Sequence, residues 1–294
     1  ESDNVSVLLG KGDGSFNPAV NYSGISQPGI ISAGDFNGDS VIDLAVSGSE
    51  TKVLMGNGDG TFATPVYCNH GRNSCLVADF TGDGTLDILS SDYSTGDIWI
   101  SEGYGDGTFS IKLIYDTANY LKLACYGDLD GDSDLDVLLQ GGDSIHVFLN
   151  NGDGTFTDSD SYSPGAPWDV SVADFNNDSI LDMAMSDVDT NSISILYGNG
   201  DGTFGTSTVF PAGDGPTDLI VEDFNEDSLL DFAVSNINTN KVSIIYGKSA
   251  WNMADVEYSY SATKAPIHLT SIVAGYFDED DFLDLAVTNY SDWV

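Results

Sequence analysis

Positive charge is what this sequence has least of. Its 294 residues hold 8 Lys and Arg, with Arg72 the single arginine, against 47 Asp and Glu, for a formal net charge of −39. So anionic a surface repels phosphate backbones and acidic headgroups, which excludes nucleic acid and anionic membrane as partners. No apolar run approaches the roughly 20 residues that a spanning helix needs, so direct membrane insertion by a helix is excluded too. Histidine is scarce, at three residues. No Ser–His–Asp order, phosphate loop or zinc-ligand spacing is present, and no residue is singled out as catalytic. Of the three cysteines, Cys68 and Cys75 are six residues apart. A loop between paired strands there would allow a Cys68–Cys75 disulfide and leave Cys125 a lone thiol; the alternative is three unpaired small hydrophobes. The chain begins at Glu1 without a signal-peptide pattern and reads as a mature or excised domain.

Aspartate, by contrast, recurs at a fixed period. Six segments align without gaps, beginning Asp35-Phe-Asn-Gly-Asp-Ser-Val-Ile-Asp43, Asp79-Phe-Thr-Gly-Asp-Gly-Thr-Leu-Asp87 and Asp128-Leu-Asp-Gly-Asp-Ser-Asp-Leu-Asp136. The others are Asp174-Phe-Asn-Asn-Asp-Ser-Ile-Leu-Asp182, Asp223-Phe-Asn-Glu-Asp-Ser-Leu-Leu-Asp231 and Tyr276-Phe-Asp-Glu-Asp-Asp-Phe-Leu-Asp284. Short apolar runs flank each segment, an alternating run follows, and a Gly-Asp-Gly-Thr/Ser-Phe turn leads to a fourth run. Four strands in a period of 40–50 residues predict one propeller blade per unit. The expected fold is therefore all-β: a six-bladed β-propeller of four-stranded antiparallel blades in one domain spanning 1–294. The last blade would be shared between residues 1–22 and 267–294, so that N-terminal strands complete the C-terminal blade and close the ring without an open edge.

The acidic segments also carry the chemistry. Positions 1, 3, 5 and 9 bear oxygen side chains: Asp35, Asn37, Asp39 and Asp43; Asp79, Thr81, Asp83 and Asp87; Asp128, Asp130, Asp132 and Asp136. Asp174, Asn176, Asp178 and Asp182 follow, then Asp223, Asn225, Asp227 and Asp231, and lastly Asp278, Asp280 and Asp284, with Tyr276 in the first place. Backbone carbonyls are expected from position 7, at Val41, Thr85, Asp134, Ile180, Leu229 and Phe282. Carboxylates so crowded repel one another unless a cation sits among them. All-oxygen, flexible coordination selects Ca²⁺ over Zn²⁺ or Mg²⁺, giving five to six calcium sites.

Asp-Phe-Asn-Gly-Asp…Asp-Leu-Ala-Val followed by Gly-Asn-Gly-Asp-Gly-Thr-Phe resembles the FG-GAP/VCBS repeat family, which includes integrin α-subunit propellers and propeller lectins. The resemblance covers essentially the whole chain. It implies a propeller, calcium in the loops joining first and second strands, and a secreted or cell-surface protein that recognises a glycan or a protein. Three departures stand out: six units rather than the seven of the best-known relatives, Tyr276 in a metal loop, and Ser249–Met253 in place of a Gly-Asp-Gly turn.

A ligand is expected on the face opposite the acidic loops. Asp, Asn and aromatic residues gather there: Tyr93, Trp168, Asp169, Asp187, Asp218, Asn236, Asn289 and Tyr290. Such groups suit sugar hydroxyls and ring faces, although they also favour ordinary turns. The expected function is a calcium-binding recognition or adhesion module, monomeric and not an enzyme. The alternative is a polysaccharide-active lyase or hydrolase, in which Arg72 neutralises an acidic substrate and His70 moves a proton.

Overall fold

A computed structural model describes residues 3–11, 15–72, 74–92, 94–116, 121–163, 165, 167–248, 252–253, 258–261, 268–275 and 282–290. Among these residues every regular element is a β-strand, and every ladder is antiparallel. β1 (Asn4–Val7) pairs with β2 (Val20–Ser23). Four-stranded sheets follow. The first holds β3 (Ile31–Gly34), β4 (Asp43–Val46), β5 (Thr51–Leu54) and β6 (Val66–Asn69). The second holds β7 (Ser74–Ala78), β8 (Asp87–Asp92), β9 (Asp97–Gly103) and β10 (Phe109–Asp116). The third holds β11 (Leu121–Gly127), β12 (Asp136–Gly141), β13 (Ser144–Asn150) and β14 (Phe156–Tyr162). The fourth holds β15 (Pro167–Ala173), β16 (Asp182–Asp187), β17 (Ser192–Gly198) and β18 (Phe204–Pro211).

In the fifth, β19 (Pro216–Glu222), β20 (Asp231–Asn236) and β21 (Lys241–Ile245) are followed by a short hairpin, β22 (Gly247–Lys248) and β23 (Asn252–Met253). β24 (Tyr258–Ser261) then pairs with β21 and completes that sheet. β25 (His268–Gly275) and β26 (Asp284–Tyr290) form a last two-stranded sheet. The predicted four-strand unit is thus present in order, meandering from first strand to fourth.

The chain divides into two compact units, one of Glu1–Ala124, Asp134–Gly142 and Val147–Asp158, the other of Cys125–Ser133, Asp143–His146 and Ser159–Val294. Within each, successive sheets pack face to face. In the first unit Phe36, Ala45 and Val53 of the first sheet meet Ile88 of the second, and Phe80, Leu89 and Ile100 meet Val137, Leu139 and Phe148. In the second unit Ala184, Ile193 and Ile195 meet Phe232 and Val234, and Ala233 and Ile244 meet Leu269 and Ile272. Second strands lie inside this stack: β8, β16 and β20 are buried at every position. The fourth strands β14 and β18 face water, each exposed over five consecutive residues. Each fully buried Phe, such as Phe36, Phe80 or Phe232, contributes roughly 2–3 kcal/mol.

The turn Phe residues join neighbouring sheets as well. Phe109 packs edge-on against Phe36 at 5.7 Å, and Phe156 against Phe80 at 6.4 Å. Hydrogen bonds run alongside: Gly107 N–H donates to Phe36 O (3.0 Å) and Gly202 N–H to Leu129 O (3.1 Å). In the second sheet the acceptor is Phe80 O, reached by Asn150 Nδ2 at 2.8 Å.

The disulfide expectation is corrected. Cys68 and Cys75 are free thiols, because β6 and β7 belong to different sheets and the stretch between them crosses from one to the next. Cys75 Sγ faces Ser32 Oγ (3.6 Å) and the carbonyls of Ile30 and Ala45, and both cysteines lie in one buried cluster. Burial pushes the Cys68 thiol up to about 12 and raises Cys75 and Cys125 too.

Two outcomes test this architecture. Thiol titration of the unfolded, unreduced chain should count all three cysteines, while the native chain reacts slowly because buried thiols resist ionisation; a count of one would restore the disulfide. Gly198 ends its third strand with no room for a Cβ, which would collide with Leu181 O. Gly198→Ala should therefore cost about 1–3 kcal/mol by overpacking. Gly205→Ala, where the nearest atom is Tyr197 O at 3.5 Å, is the control and should cost less in the same denaturant titration.

Candidate functional site

Each of the five acidic loops that are described in full joins the first and second strands of a sheet, and its backbone is bent by two left-handed residues. Position 4 has positive φ at Gly38, Gly82, Gly131, Asn177 and Glu226, and position 6 at Ser40, Gly84, Ser133, Ser179 and Ser228. Alternating handedness at positions 4 and 6 coils the loop tightly around its own first side chain. Asp35 Oδ1 accepts N–H bonds from Gly38 (2.8 Å) and Asp39 (3.2 Å), and Oδ2 accepts one from Ser40 (2.8 Å). Asp79, Asp128, Asp174 and Asp223 take equivalent bonds from Gly84, Ser133, Ser179 and Ser228. Position 5 then caps position 7: Asp39, Asp83, Asp178 and Asp227 accept N–H bonds from Val41, Thr85, Ile180 and Leu229.

Position 9 ties the loop to the sheet. Asp43, Asp87, Asp136, Asp182 and Asp231 are all fully buried, at 0% exposure. One oxygen accepts the N–H of position 2, from Phe36, Phe80, Phe175 and Phe224 at 2.9–3.0 Å. The other accepts from the end of the third strand: Gly56, Gly103, Asn150, Gly198 and Gly247. This explains the glycines that sequence reading passed over. At Gly56, Gly103, Gly198 and Gly247 a Cβ would strike the carbonyl of loop position 8. Asn150 solves the same problem by donating its side-chain amide to Leu135 O (3.1 Å).

The donor sets suit a hard cation. Carboxylate oxygens of Asp128, Asp130 and Asp136 lie within 4.8 Å of one another in the hairpin between β11 and β12. Like charge registers in the protonation of these groups. Burial raises Asp130, and Asp132 and Asp128 raise it further. Burial lifts Asp182 and Asp231 to about 6, helped by Asp178 and Asp174 in one loop and Asp227 and Asp223 in the other. Burial also outweighs the N–H bonds to Asp87 and raises it. In that loop position 3 is Thr81, whose buried hydroxyl lies against the Asp87 carboxylate. Carboxylate, amide and hydroxyl oxygens, without nitrogen or sulfur, are what Ca²⁺ takes. In the sixth loop Tyr276, Asp278 and Asp280 lie outside the described residues; Phe282 is exposed, and Asp284 opens β26.

The residues expected to meet a ligand sit at the other ends of the same strands, and most serve the fold. Asp187 and Asn236 are buried, at 3% and 1% exposure, which corrects their assignment to an open face. Asp187 Oδ1 caps its own turn through the N–H groups of Asp189 and Thr190. Asn236 Nδ2 donates to Val234 O, Lys241 O and Ser243 Oγ. Asp169 and Asp218 reach to the next first strand, accepting N–H bonds from Leu219 (3.1 Å) and Ile272 (2.7 Å). Burial and the neighbouring Asp218 raise Asp169. Trp168 is exposed at 52%. Tyr93 lies outside the described residues, as do the side chains of Asn289 and Tyr290. His70 is exposed, with its ring 5.1 Å from Trp99 and 5.5 Å from Tyr67; Arg72 pairs with Asp92 at 3.3 Å.

Comparison with known proteins agrees with this geometry. The chain resembles a lectin of Agrocybe aegerita described in specific recognition of non-reducing terminal N-acetylglucosamine, with 18% identity and a TM-score of 0.65 over 98% of this chain and 80% of that one. It resembles BBS1N, solved in complex with ARL6DN, at 11% identity and TM-score 0.57 over 97% and 81% of the two chains. A third likeness is to rhamnogalacturonan lyase YesW, at 14% identity and TM-score 0.53 over 98% and 59%. At these identities the likeness is one of fold, a β-propeller-like succession of four-stranded sheets. No curated protein sequence matches the chain. The FG-GAP-like repeat model matches four consecutive, overlapping stretches: residues 35–90, 79–139, 128–185 and 174–234. Those stretches begin at Asp35, Asp79, Asp128 and Asp174, the first residues of four acidic loops, and cover more than half the sequence: the chain belongs to the FG-GAP-like repeat family.

Proposed function

We propose that this protein is an extracellular, calcium-stabilised recognition module that binds a glycan or a protein, and not an enzyme. The observation that carries the calcium part is the convergence of Asp128, Asp130 and Asp136 within 4.8 Å, in a loop whose frame recurs along the chain. Asp35, Asp79, Asp174 and Asp223 stand at the equivalent first position. Calcium would neutralise the mutual repulsion of these carboxylates and hold each loop to its two strands, a structural role. In the same reading the first and last two-stranded sheets together make the sixth blade of a closed six-bladed ring, monomeric in solution.

Recognition is then left to the opposite ends of the sheets, where loops join second to third and fourth to first strands. Support comes from the fold: propeller-like relatives include the N-acetylglucosamine-recognising lectin and BBS1N, solved with a protein partner. The lyase reading is weaker. Its support is the likeness to YesW and the proximity in sequence of His70 and Arg72, whereas the ring of His70 packs against Tyr67 and Trp99.

Calcium should raise Tm, and EDTA should lower it, because a ligand bound only by the folded state stabilises it. The effect should depend on pH. Asp182 and Asp231 stand at about 6 when metal-free, above the unfolded value near 3.9. Their contribution to metal-free stability is therefore fully present below about pH 4 and lost as pH rises through about 6. Calcium competes with those protons, so the Tm gap between calcium and EDTA should widen from about pH 5 to 7. A gap of zero at neutral pH would sink the calcium assignment. A glycan array read in calcium and again in EDTA, with a parallel assay for polysaccharide cleavage, tests the rest: binding without product supports recognition, and turnover lost in His70→Ala favours the lyase.

A further inference from the structure

A cavity of about 350 Å³ opens between the first and second sheets, at their ends away from the acidic loops. Among the described residues its lining is Gln27, Gly29 and Gly48 on one wall and Arg72, Asp92 and Ser94 on the other, none with an apolar side chain. A volume of this size falls in the range of small-molecule sites. The first wall is pinned by backbone: Gly29 N–H donates to Ser47 O (2.8 Å) and Ser49 N–H to Ser26 O (2.7 Å). Gln27 holds a positive φ of 52° while its N–H donates to Asp3 Oδ1 (3.1 Å). At Gly48 a Cβ would stand 2.6 Å from Ser26 O, so glycine keeps that wall open to the backbone.

The second wall holds the one arginine of a chain of net charge −39. Asp92 Oδ1 is taken by the N–H (2.9 Å) and hydroxyl (2.6 Å) of Ser94, which leaves Oδ2 to meet Arg72 Nε at 3.3 Å. A guanidinium has five donors in a fixed plane. Nε alone is engaged, and among the described residues the Nη groups have no protein partner. With 57% of the Arg72 side chain exposed, the pair adds little to stability and chiefly fixes the plane of the fork. The repeat sharpens the contrast. Asp187 and Asn236 occupy the place of Asp92 in the fourth and fifth sheets, where Gly165 and Gly213 lie too close to accept even a Cβ. Those places are closed; the one beside Arg72 is open, with the Arg72–Asp92 pair on its wall.

We propose that this cavity is a subsite for a uronic-acid residue of a glycan, with the sugar carboxylate on the free Nη edge of Arg72. The hydroxyls then face the Gln27 amide, the Ser94 hydroxyl and the backbone at Gly29 and Gly48. A long polyanion would meet the field of the whole molecule, but one carboxylate is shielded beyond about 8 Å at physiological salt. The favoured ligand is therefore a short or sparsely charged acidic saccharide. The inference rests on the glycan-recognition reading above and names its ligand class.

Calorimetric titration in calcium tests it, with a glucuronate-terminated disaccharide, its neutral glucose counterpart and sodium acetate as probes. The acidic disaccharide should bind, and the other two should bind about 10- to 100-fold more weakly, the loss expected for one charge-assisted contact. Arg72→Gln should weaken acidic-disaccharide binding by a similar factor at unchanged Tm, and Arg72→Lys by less. Equal binding of acidic and neutral disaccharides, or binding untouched in Arg72→Gln, would overturn the assignment. If acidic saccharides fail while neutral glycans bind on the array, this subsite falls and glycan recognition stands; if no glycan binds, both fall. The comparison of probes on the unaltered chain holds even if a variant folds poorly.

Discussion

Much of this fold depends on one buried carboxylate, repeated. Asp43, Asp87, Asp136, Asp182 and Asp231 each sit at the start of a second strand and are shielded from water. Each accepts a hydrogen bond from the end of the third strand, and Asp43, Asp87, Asp182 and Asp231 accept another from the second residue of the loop. That contact fixes the loop over the hairpin and aligns the second and third strands. The buried polar group is satisfied by backbone N–H groups, as it must be to avoid a desolvation cost of several kcal/mol. Even so, burial and neighbouring charge hold Asp182 and Asp231 near 6, so hydrogen bonds alone do not settle the ionised form.

The same carboxylate dictates sequence elsewhere. Its bond to the end of the third strand draws that backbone against the carbonyl of loop position 8, which leaves no space for a side chain at Gly56, Gly103, Gly198 or Gly247. The Gly-Asp-Gly turn follows at once in three of these four places. From there Gly107 reaches the preceding loop at Phe36 O, while Phe109 fills the space between the sheets. Loop, strand end, turn and inter-sheet contact form a single mechanical series, which is why they recur together in sequence.

How much of this was legible beforehand follows from that coupling. Spacing of the Asp residues carried the repeat, the strand order and the loop positions, because each is fixed by local backbone geometry over nine residues. Left-handed positions were visible where glycine fills them, as at Gly38, Gly82 and Gly131, and hidden where Asn177, Glu226 or Ser179 does. The disulfide expectation failed because Cys68 and Cys75 look like the two sides of a hairpin, and only topology reveals that β6 and β7 lie in different sheets. Asp187 and Asn236 misled for a related reason: an Asp or Asn after a strand serves either a ligand or its own turn, and composition does not distinguish the two. Here the turn takes Asp187, and the backbone around β20 and β21 takes Asn236.

The division of labour this leaves is physical. At one end of each sheet the geometry is dictated by charge crowding and recurs almost residue for residue, so variation there is costly. At the other end turns need only cap themselves, and neighbouring copies differ: glycine beside Asp187, an arginine beside Asp92. A repeat protein acquires specificity where its repeats are free to diverge, and in this chain that freedom lies opposite the acidic loops. The single arginine stands at that end, paired with Asp92 and facing a cavity lined, among the described residues, by polar groups and glycine. Against a net charge of −39, one cation is worth most where its carboxylate partner is already satisfied on its other oxygen. Asp92, held by Ser94, supplies that arrangement.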